Sequence, residues 1–210
     1  MNNRILAVAA LSALTFSQAG AEDIRSLFFN MPDTIIPTIT RSERLDFLDY
    51  MDSGMRARVN NKLGGESTMT AFSDRMLTVM TSRSARMDMV LFSRKDGSNL
   101  ICLIRTVTAR YDDSSIMFYN EDWTPVETKS LIKLPRFDDY LTKAALKQDS
   151  IDAFRRKSIL RLQSVSAVDD CLEFRYTSLD YIGEDAERYR SWLKPEPLRY
   201  LWNGKKFKRK

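Results

Sequence analysis

The stretch with the most motif-like composition runs from Val59 to Phe72 and reads VNNKLGGESTMTAF. A Walker-type phosphate loop follows a strand, opens a helix and ends in Gly-Lys-Ser/Thr, so that backbone donors and a lysine converge on phosphate. Here Gly64 and Gly65 follow a helical pattern and precede a strand pattern, and Glu66 stands where the lysine is needed. The pair is therefore predicted to end a helix and to form a turn.

No histidine occurs anywhere in the 210 residues. This removes Ser-His-Asp and Cys-His catalytic arrangements, histidine-based zinc helices and the commonest general base near neutral pH. Serine-lysine chemistry is disfavoured, because Lys129-Ser130 and Lys157-Ser158 are adjacent pairs whose side chains diverge on a strand. We predict no catalytic residue, no metal and no cofactor, and keep an enzyme of unrecognised type as an alternative.

Adjacent acidic residues fall mainly in predicted turns, where an aspartate usually bonds its own backbone. Glycosidase carboxylates lie several ångströms apart across a cleft, and a calcium loop needs a D-x-D-x-D-G pattern that is missing here. The pairs are Asp112-Asp113, Glu121-Asp122, Asp138-Asp139, Asp169-Asp170 and Glu184-Asp185. A structural role is favoured for all five.

Two aromatic residues near predicted hairpin turns, Tyr111 and Trp123, are candidate surface contacts that could stack on a sugar. The many methionines suggest a pocket for a hydrophobic ligand, although their alternating and helical positions favour an ordinary core. Cys102 and Cys171 both lie in strand patterns, and the sequence leaves open whether they form a disulfide.

The first 21 residues have the three parts of a secretory signal peptide. Arg4 precedes a 12-residue apolar run, Ile5 to Phe16, which is shorter than the roughly 20 residues of a membrane-spanning helix. The small-residue triplet Ala19-Gly20-Ala21 follows, and no cysteine stands at the cleavage point. We expect cleavage after Ala21, an exported periplasmic protein that is not a lipoprotein, and no transmembrane segment in the mature chain.

The positive charge is concentrated at the C-terminal end. Of the formal net charge of +5, Arg4 contributes one and residues 205–210 contribute five, which leaves −1 for the rest of the chain. A nucleic-acid partner is disfavoured, because such proteins spread basic residues over a face. The five basic residues at the C-terminal end could dock on an anionic envelope surface. A solvated, partly frayed end is the simpler interpretation. They are Lys205, Lys206, Lys208, Arg209 and Lys210.

The N-terminal part of the mature chain is predicted to be helical. Asp23 to Met31 has helical spacing and stops at Pro32. Thr40 and Glu43 form a capping-box pattern at the start of a second helix, whose apolar positions continue to Val59. Gly54 is a weak point in that helix.

After the glycine pair the pattern changes to the alternation of strands joined by short turns. Strands are predicted at 67–72, 75–81, 86–93, 99–110, 115–120 and 126–128. Helices are predicted at 136–147, 150–157 and 184–193. Two further hairpins pair 158–165 with 171–177, and 198–203 with 206–208 over the favoured turn pair Asn203-Gly204.

The roughly 190 residues from 22 to 210 contain no repeat or low-complexity linker, so we predict one domain. Helices at the ends of a run of hairpins indicate an α+β fold with a meandering antiparallel sheet, N-terminal helices and further helices between the later strands.

Six segments spread over nearly the whole mature chain resemble a Bacteroidales family of small exported domains of unknown function. They are SLFFNMPDTIIPTIT, NKLGGESTMTAFSD, LICLIRTV, SIMFYNEDW, FRYTSLDYI and LRYLWNGKKF. The resemblance implies a place in the cell envelope of a Gram-negative bacterium, and it implies no activity or catalytic residue. We expect a non-catalytic envelope domain that binds or supports another envelope protein or an anionic envelope surface, with a carrier of a lipid or lipidated peptide as the alternative.

The Ala-Gly-Ala triplet gives the first testable prediction. Protein recovered from the periplasm should begin at Glu22, because signal peptidase cleaves after such small residues. Intact-mass measurement checks this. A chain that retains Met1, or one that carries a lipid adduct, would contradict the export prediction.

Overall fold

The computed structural model describes residues 21–210. The predicted signal peptide lies outside the described residues except for Ala21. Within the described range no helix combines the length and the apolar character needed to cross a bilayer. Eleven strands in this range form two antiparallel sheets, and short helices accompany both, so the predicted α+β class is confirmed.

Two helices open the described chain, α1 (Ile24–Phe29) and α2 (Arg41–Asp52). The predicted capping box starts α2, since Thr40 Oγ1 accepts from Glu43 N at 3.2 Å and Glu43 Oε2 accepts from Thr40 N at 2.5 Å. The prediction that α2 continues to Val59 is wrong. Gly54 has a φ of +64°, which ends the helical path and lets the chain turn into a strand.

Arg44 of α2 is 1% exposed and fixes the connector between the two helices. Its guanidinium donates to Ile39 O at 3.0 Å and to Met31 O at 2.7 Å, and it pairs with Asp33 at 3.0 Å. The connector contains two prolines and has no regular ladder, so this side chain satisfies carbonyl groups that the backbone leaves free.

The larger sheet is a seven-stranded meander in which each strand pairs with the next along the chain. Its strands are β1 (Arg58–Asn60), β2 (Glu66–Phe72), β3 (Met76–Ser82), β4 (Ala85–Ser93), β5 (Asn99–Thr108), β6 (Asp112–Tyr119) and β7 (Pro125–Val126). The short turns between them allow only antiparallel neighbours.

The smaller sheet has the order β11-β10-β9-β8. Its strands are β8 (Gln163–Val168), β9 (Cys171–Tyr176), β10 (Leu198–Trp202) and β11 (Phe207–Arg209). Both predicted hairpins are present, although β8 begins at Gln163 and not at Ser158.

The strands β4 and β5 are buried on both faces. Met87, Met89 and Leu91 pack with the apolar residues of α1 and α2, whereas Val90 and Phe92 pack with the smaller sheet. Because side chains alternate between the faces of a strand, the β4–β5 hairpin contributes side chains to two cores, one on each of its faces. The fold therefore has a helical layer, a seven-stranded sheet and a four-stranded sheet.

A third buried cluster joins the short helices of the second half. It is formed by α4 (Ile151–Lys157), α5 (Ala186–Arg190) and the 3₁₀ segments Phe137–Tyr140, Ala145–Lys147 and Leu179–Asp185. The preceding short helix, α3 (Thr128–Leu131), packs through Leu131 in the core between the two sheets. The prediction of one helix over 136–147 is wrong, because Leu141 is extended and pairs with Leu193 in a β-bridge. The predicted helix 184–193 is shortened to α5, and α3 was not predicted.

The glycine pair lies in the turn between β1 and β2, so the prediction that it caps a helix is wrong and the prediction of a turn is confirmed. Asn61 closes this turn: its Oδ1 accepts from Leu63 N at 3.0 Å and from Gly65 N at 3.1 Å. Gly64 N donates to Asn61 O at 3.0 Å. These internal bonds use the backbone donors that a phosphate cradle would need.

Alanine substitutions at the two glycines should differ in their effect on stability, because only Gly64 of this pair has a positive φ. Gly64 has a φ of +75°, so Gly64→Ala should destabilise the protein by about 1 kcal/mol. The matched control is Gly65→Ala, where a Cβ would meet only the Asn61 side chain at 3.6 Å. Thermal unfolding of both variants checks this, and equal melting temperatures would refute the assignment.

Candidate functional site

The outer face of the four-stranded sheet carries several exposed basic side chains. The inner side chains of these strands, such as Phe174 and Tyr200, pack on the larger sheet. Because paired residues in an antiparallel sheet share a face, the register identifies the outward set. One row is Ser166, Glu173 and Arg199, and the next is Val168, Cys171, Leu201 and Lys208.

Four cations and one carboxylate occupy this face. Lys208 lies on β11, and Lys210 follows it with its N–H donating to Arg199 O at 2.9 Å. Arg199 Nε lies 3.1 Å from Glu173 Oε1, and Arg175 is exposed on the outer side of β9. Leu201 and Val168, 48% and 45% exposed, form an apolar strip between the charged residues.

The turn between β10 and β11 adds further cations at the end of this face. Asn203 Oδ1 accepts from Lys205 N at 3.0 Å and from Lys206 N at 2.8 Å. Gly204 has a φ of +84°, and the Lys95 side chain lies against it. The hydrogen bonds fix the backbone from which both lysine side chains project.

A groove of about 400 Å³ runs beside the face. Two cations converge on its floor: Lys194 Nζ donates to Asp139 O at 2.7 Å, and Arg209 donates to Asp139 Oδ1 at 2.5 Å. The residues that line it are Lys194, Pro195, Glu196, Pro197, Leu198, Arg199, Arg209 and Lys210. The face and its groove together are called the basic face below.

Partial burial, hydrogen bonds and charges shift the pKa values of two groups at the groove. Partial burial opposes ionisation of Asp139, but hydrogen bonds from Arg136 N–H and from the Arg209 guanidinium outweigh it and lower the pKa of this carboxyl. Burial, followed by the charge of Arg209, lowers the pKa of Lys194. Asp139 therefore holds its negative charge, which anchors Arg209 in the groove.

The basic C-terminal residues predicted to form a tail are part of the sheet. Lys205 and Lys206 form a hydrogen-bonded turn, while Lys208 and Arg209 lie on β11. The interpretation of a frayed end is wrong, because Phe207 is 5% exposed and ties the strand to the core. The structure brings Arg209 and Lys210 together with Arg199 and Lys194. Alternation in LRYLW could have identified Arg199 as outward, whereas Lys194 carries no such signal.

The structure places the two predicted aromatic surface contacts, Tyr111 and Trp123, in different environments. Trp123 is 8% exposed and packs in the core 5.6 Å from Tyr119, so its prediction as a surface contact is wrong. Its φ of +64° turns the chain so that the indole points inward. Tyr111 is half-buried, donates to Asp180 Oδ2 at 2.9 Å and meets the Tyr181 ring at 5.0 Å. Sugar stacking at Tyr111 stays a prediction.

The two cysteines are free and buried. Cys102 packs between the two sheets, whereas Cys171 shares the outer row with Leu201. Their side chains thus lie on different sides of the smaller sheet. Among residues 21–210 no three acidic or cysteine side chains are grouped to hold a metal ion.

Comparison with known proteins places the chain in a family. The family described as "Protein of unknown function (DUF3256)" matches residues 16–207. The chain belongs to this family. No curated protein matches the sequence. The predicted resemblance to a family of domains of unknown function is therefore confirmed, and export remains a prediction.

A solved structure shares this fold. The chain is similar to a domain of an uncharacterized protein from Porphyromonas gingivalis W83, with 26% sequence identity and a TM-score of 0.78. The match covers 88% of this chain and 98% of that one.

Removal of the Asp139 carboxylate should change stability in a pH-dependent way. Because its folded pKa is lowered, the carboxylate stabilises the fold above its ordinary pKa, and this stabilisation is lost as the pH falls through the lowered value. Asp139→Asn should cost no more than about 1 kcal/mol at pH 7. The cost should shrink between about pH 5 and pH 2.

Urea unfolding at several pH values measures this effect. The matched control is Asp149→Asn, an exposed carboxylate that forms no ion pair among the described residues. A cost for Asp139→Asn that stays constant over the whole pH range would contradict the role of Asp139.

Proposed function

We propose that the chain is a non-catalytic domain of the cell envelope that binds an anionic envelope surface through its basic face. The observation that carries the proposal is the outer face of the smaller sheet. Its strands present Arg175, Arg199, Lys208 and Lys210 with one carboxylate, Glu173, among them, while Glu196 lines the adjoining groove. Lys205 and Lys206 extend the same positive charge at one end.

A sheet face suits a charged planar partner better than a frayed tail does. Cations on strands are held at fixed spacings, so less conformational freedom is lost when they bind than in a disordered segment. The strip of Leu201 and Val168 gives the contact an apolar centre inside a charged rim, an arrangement common to protein interfaces.

The rest of the mature chain supports this placement of the contact. Because the net charge outside residues 1–21 and 205–210 is −1, attraction to an anionic partner is concentrated on the C-terminal β10–β11 hairpin and the residue after it. The anionic groups would be the phosphates of lipid head groups or of lipopolysaccharide. Attraction of this kind is reversible and is screened by salt over roughly 8 Å at physiological ionic strength.

Sedimentation with lipid vesicles tests the proposal. The chain from Glu22 to Lys210 should bind vesicles that contain phosphatidylglycerol, and binding should fall with added salt. Charge reversal at four positions should weaken association at low salt by at least about tenfold. The variant carries Lys205→Glu, Lys206→Glu, Lys208→Glu and Lys210→Glu.

A smaller charge reversal away from the basic face provides the control. Lys129→Glu combined with Lys133→Glu changes exposed lysines near α3, and the Lys129 side chain is 92% exposed. This variant should bind like the unmodified chain. An equal loss of vesicle binding in both variants, or vesicle binding that does not change with salt concentration, would overturn the proposed role of the basic face.

A further inference from the structure

The loop after α4 exposes two neighbouring aliphatic side chains. Ile159 is 87% exposed and Leu160 is 43% exposed. They lie in the segment Arg155 to Leu162, RRKSILRL, in which basic residues precede and follow the aliphatic pair. A branched aliphatic side chain that stands almost wholly in water is unfavourable by itself, so its position calls for a physical reason.

The backbone holds Ile159 in this exposed position. Ser158 has φ −79° and ψ 58°, the geometry of an inverse γ-turn, and Ile159 N donates to Lys157 O at 2.9 Å. Ser158 N donates to Phe154 O, the last bond of α4. The turn therefore stops the helix and directs the next residues away from the core.

The other side of the loop is tied to the segment that follows β9. Leu160 O accepts from Ser178 Oγ at 2.6 Å and from Tyr176 OH at 3.3 Å. Ser178 Oγ also accepts from Leu162 N at 3.0 Å, and Ser178 itself is 0% exposed. Because both flanks are hydrogen-bonded, the apolar pair is displayed on a fixed loop.

Cations surround the apolar pair. Arg156 and Arg161 are exposed, and among residues 21–210 neither forms an ion pair with a carboxylate. Arg161 is held beside the loop by a hydrogen bond to Ser158 O at 3.1 Å and by its position over the Phe137 ring. Lys157 is paired with Asp185. Within the described residues the charges of Arg156 and Arg161, which precede and follow the pair in the chain, are thus not neutralised by a carboxylate.

An exposed tyrosine stands on the segment to which the loop is tied. Tyr181, three residues after Ser178, is 44% exposed and meets Tyr111 edge-on at 5.0 Å. Exposed aliphatic residues with arginines beside them in the loop, and an exposed tyrosine on the adjoining segment, are residue types typical of a membrane interface, where the apolar groups enter the acyl boundary and the others stay at the head groups.

We propose that the loop from Arg156 to Arg161 is a membrane-contact site that inserts Ile159 and Leu160 into a bilayer with anionic head groups. Arg156 and Arg161 would bind the lipid phosphates, and the fixed backbone would keep the pair ready to insert. The site is separate from the basic face. The inference rests on the proposed function, because it needs a bilayer within reach of the domain.

A fluorescent probe at position 159 tests insertion directly. Ile159→Cys, labelled with nitrobenzoxadiazole in the chain from Glu22 to Lys210, should show a blue shift and higher intensity with vesicles containing phosphatidylglycerol. Labelling is selective because Cys102 and Cys171 are buried, and burial raises the pKa of the Cys102 thiol. Labelled Leu63→Cys is the matched control, since Leu63 is 78% exposed on another loop and should show no shift.

Removal of the apolar pair gives a second readout. The double variant Ile159→Ser and Leu160→Ser should lose about tenfold in the association that persists at high salt. Its melting temperature should match the unmodified chain, because the changed side chains are exposed. Leu63→Ser should leave vesicle binding unchanged.

The outcomes separate this proposal from the one for the basic face. A blue shift of the probe at position 159 that persists in the variant with four reversed lysines supports insertion. If that variant also binds vesicles as well as the unmodified chain does, the proposed role of the basic face is contradicted. Vesicle binding without a shift at position 159, or with an equal shift at position 63, overturns insertion and leaves the basic face intact. Failure of every variant to bind vesicles overturns both proposals.

Discussion

The burial of the β4–β5 hairpin on both faces is the constraint on which the rest of the structure depends. Every residue from Met87 to Phe92 and from Asn99 to Ile104 is buried. Such a hairpin cannot exist alone in water, because each face needs its own apolar cover. The helices α1 and α2 provide one cover and the four-stranded sheet provides the other. A register shift of one residue would exchange the two sets of side chains, so the two cores fix the register together.

The two covers are held in different ways. The helical layer depends on Arg44, whose buried guanidinium gathers carbonyl groups of the irregular connector around one point. The four-stranded sheet depends on aromatic packing, with Phe207 in contact with Phe92, Phe118 and Trp202. Phe207 lies within the last strand, so the same interaction that closes the second core orders the basic end of the chain. Phe207 therefore contributes both to the packing of the second core and to the position of the proposed contact surface.

Layer order also explains which surfaces remain open. The larger sheet is covered on both sides at β4 and β5, whereas the smaller sheet has its inner face covered and presents exposed residues on the other. The charged residues Lys208 and Arg209 of the edge strand β11 also protect this edge from pairing with another chain. The loop that carries Ile159 has a different origin, since it is fixed by side-chain bonds from Ser178 and not by a strand ladder. The basic face and the loop are thus independent products of the fold.

Local patterns in the sequence were sufficient for most elements. The capping box of Thr40 and Glu43, the alternation of the long strands and the turn at Asn203-Gly204 each involve residues close in the chain, so their physics is local. The chain composition also excluded histidine chemistry. Gly54, a weak point already visible in the sequence, lies just beyond the end of α2 with a positive φ. The break at Leu141 was not predictable, because its bridge to Leu193 overrode helical spacing. Likewise, only the tertiary structure decided that the basic residues form a sheet face with Arg199 and Lys194 and that Trp123 is buried, since these outcomes depend on partners distant in the sequence.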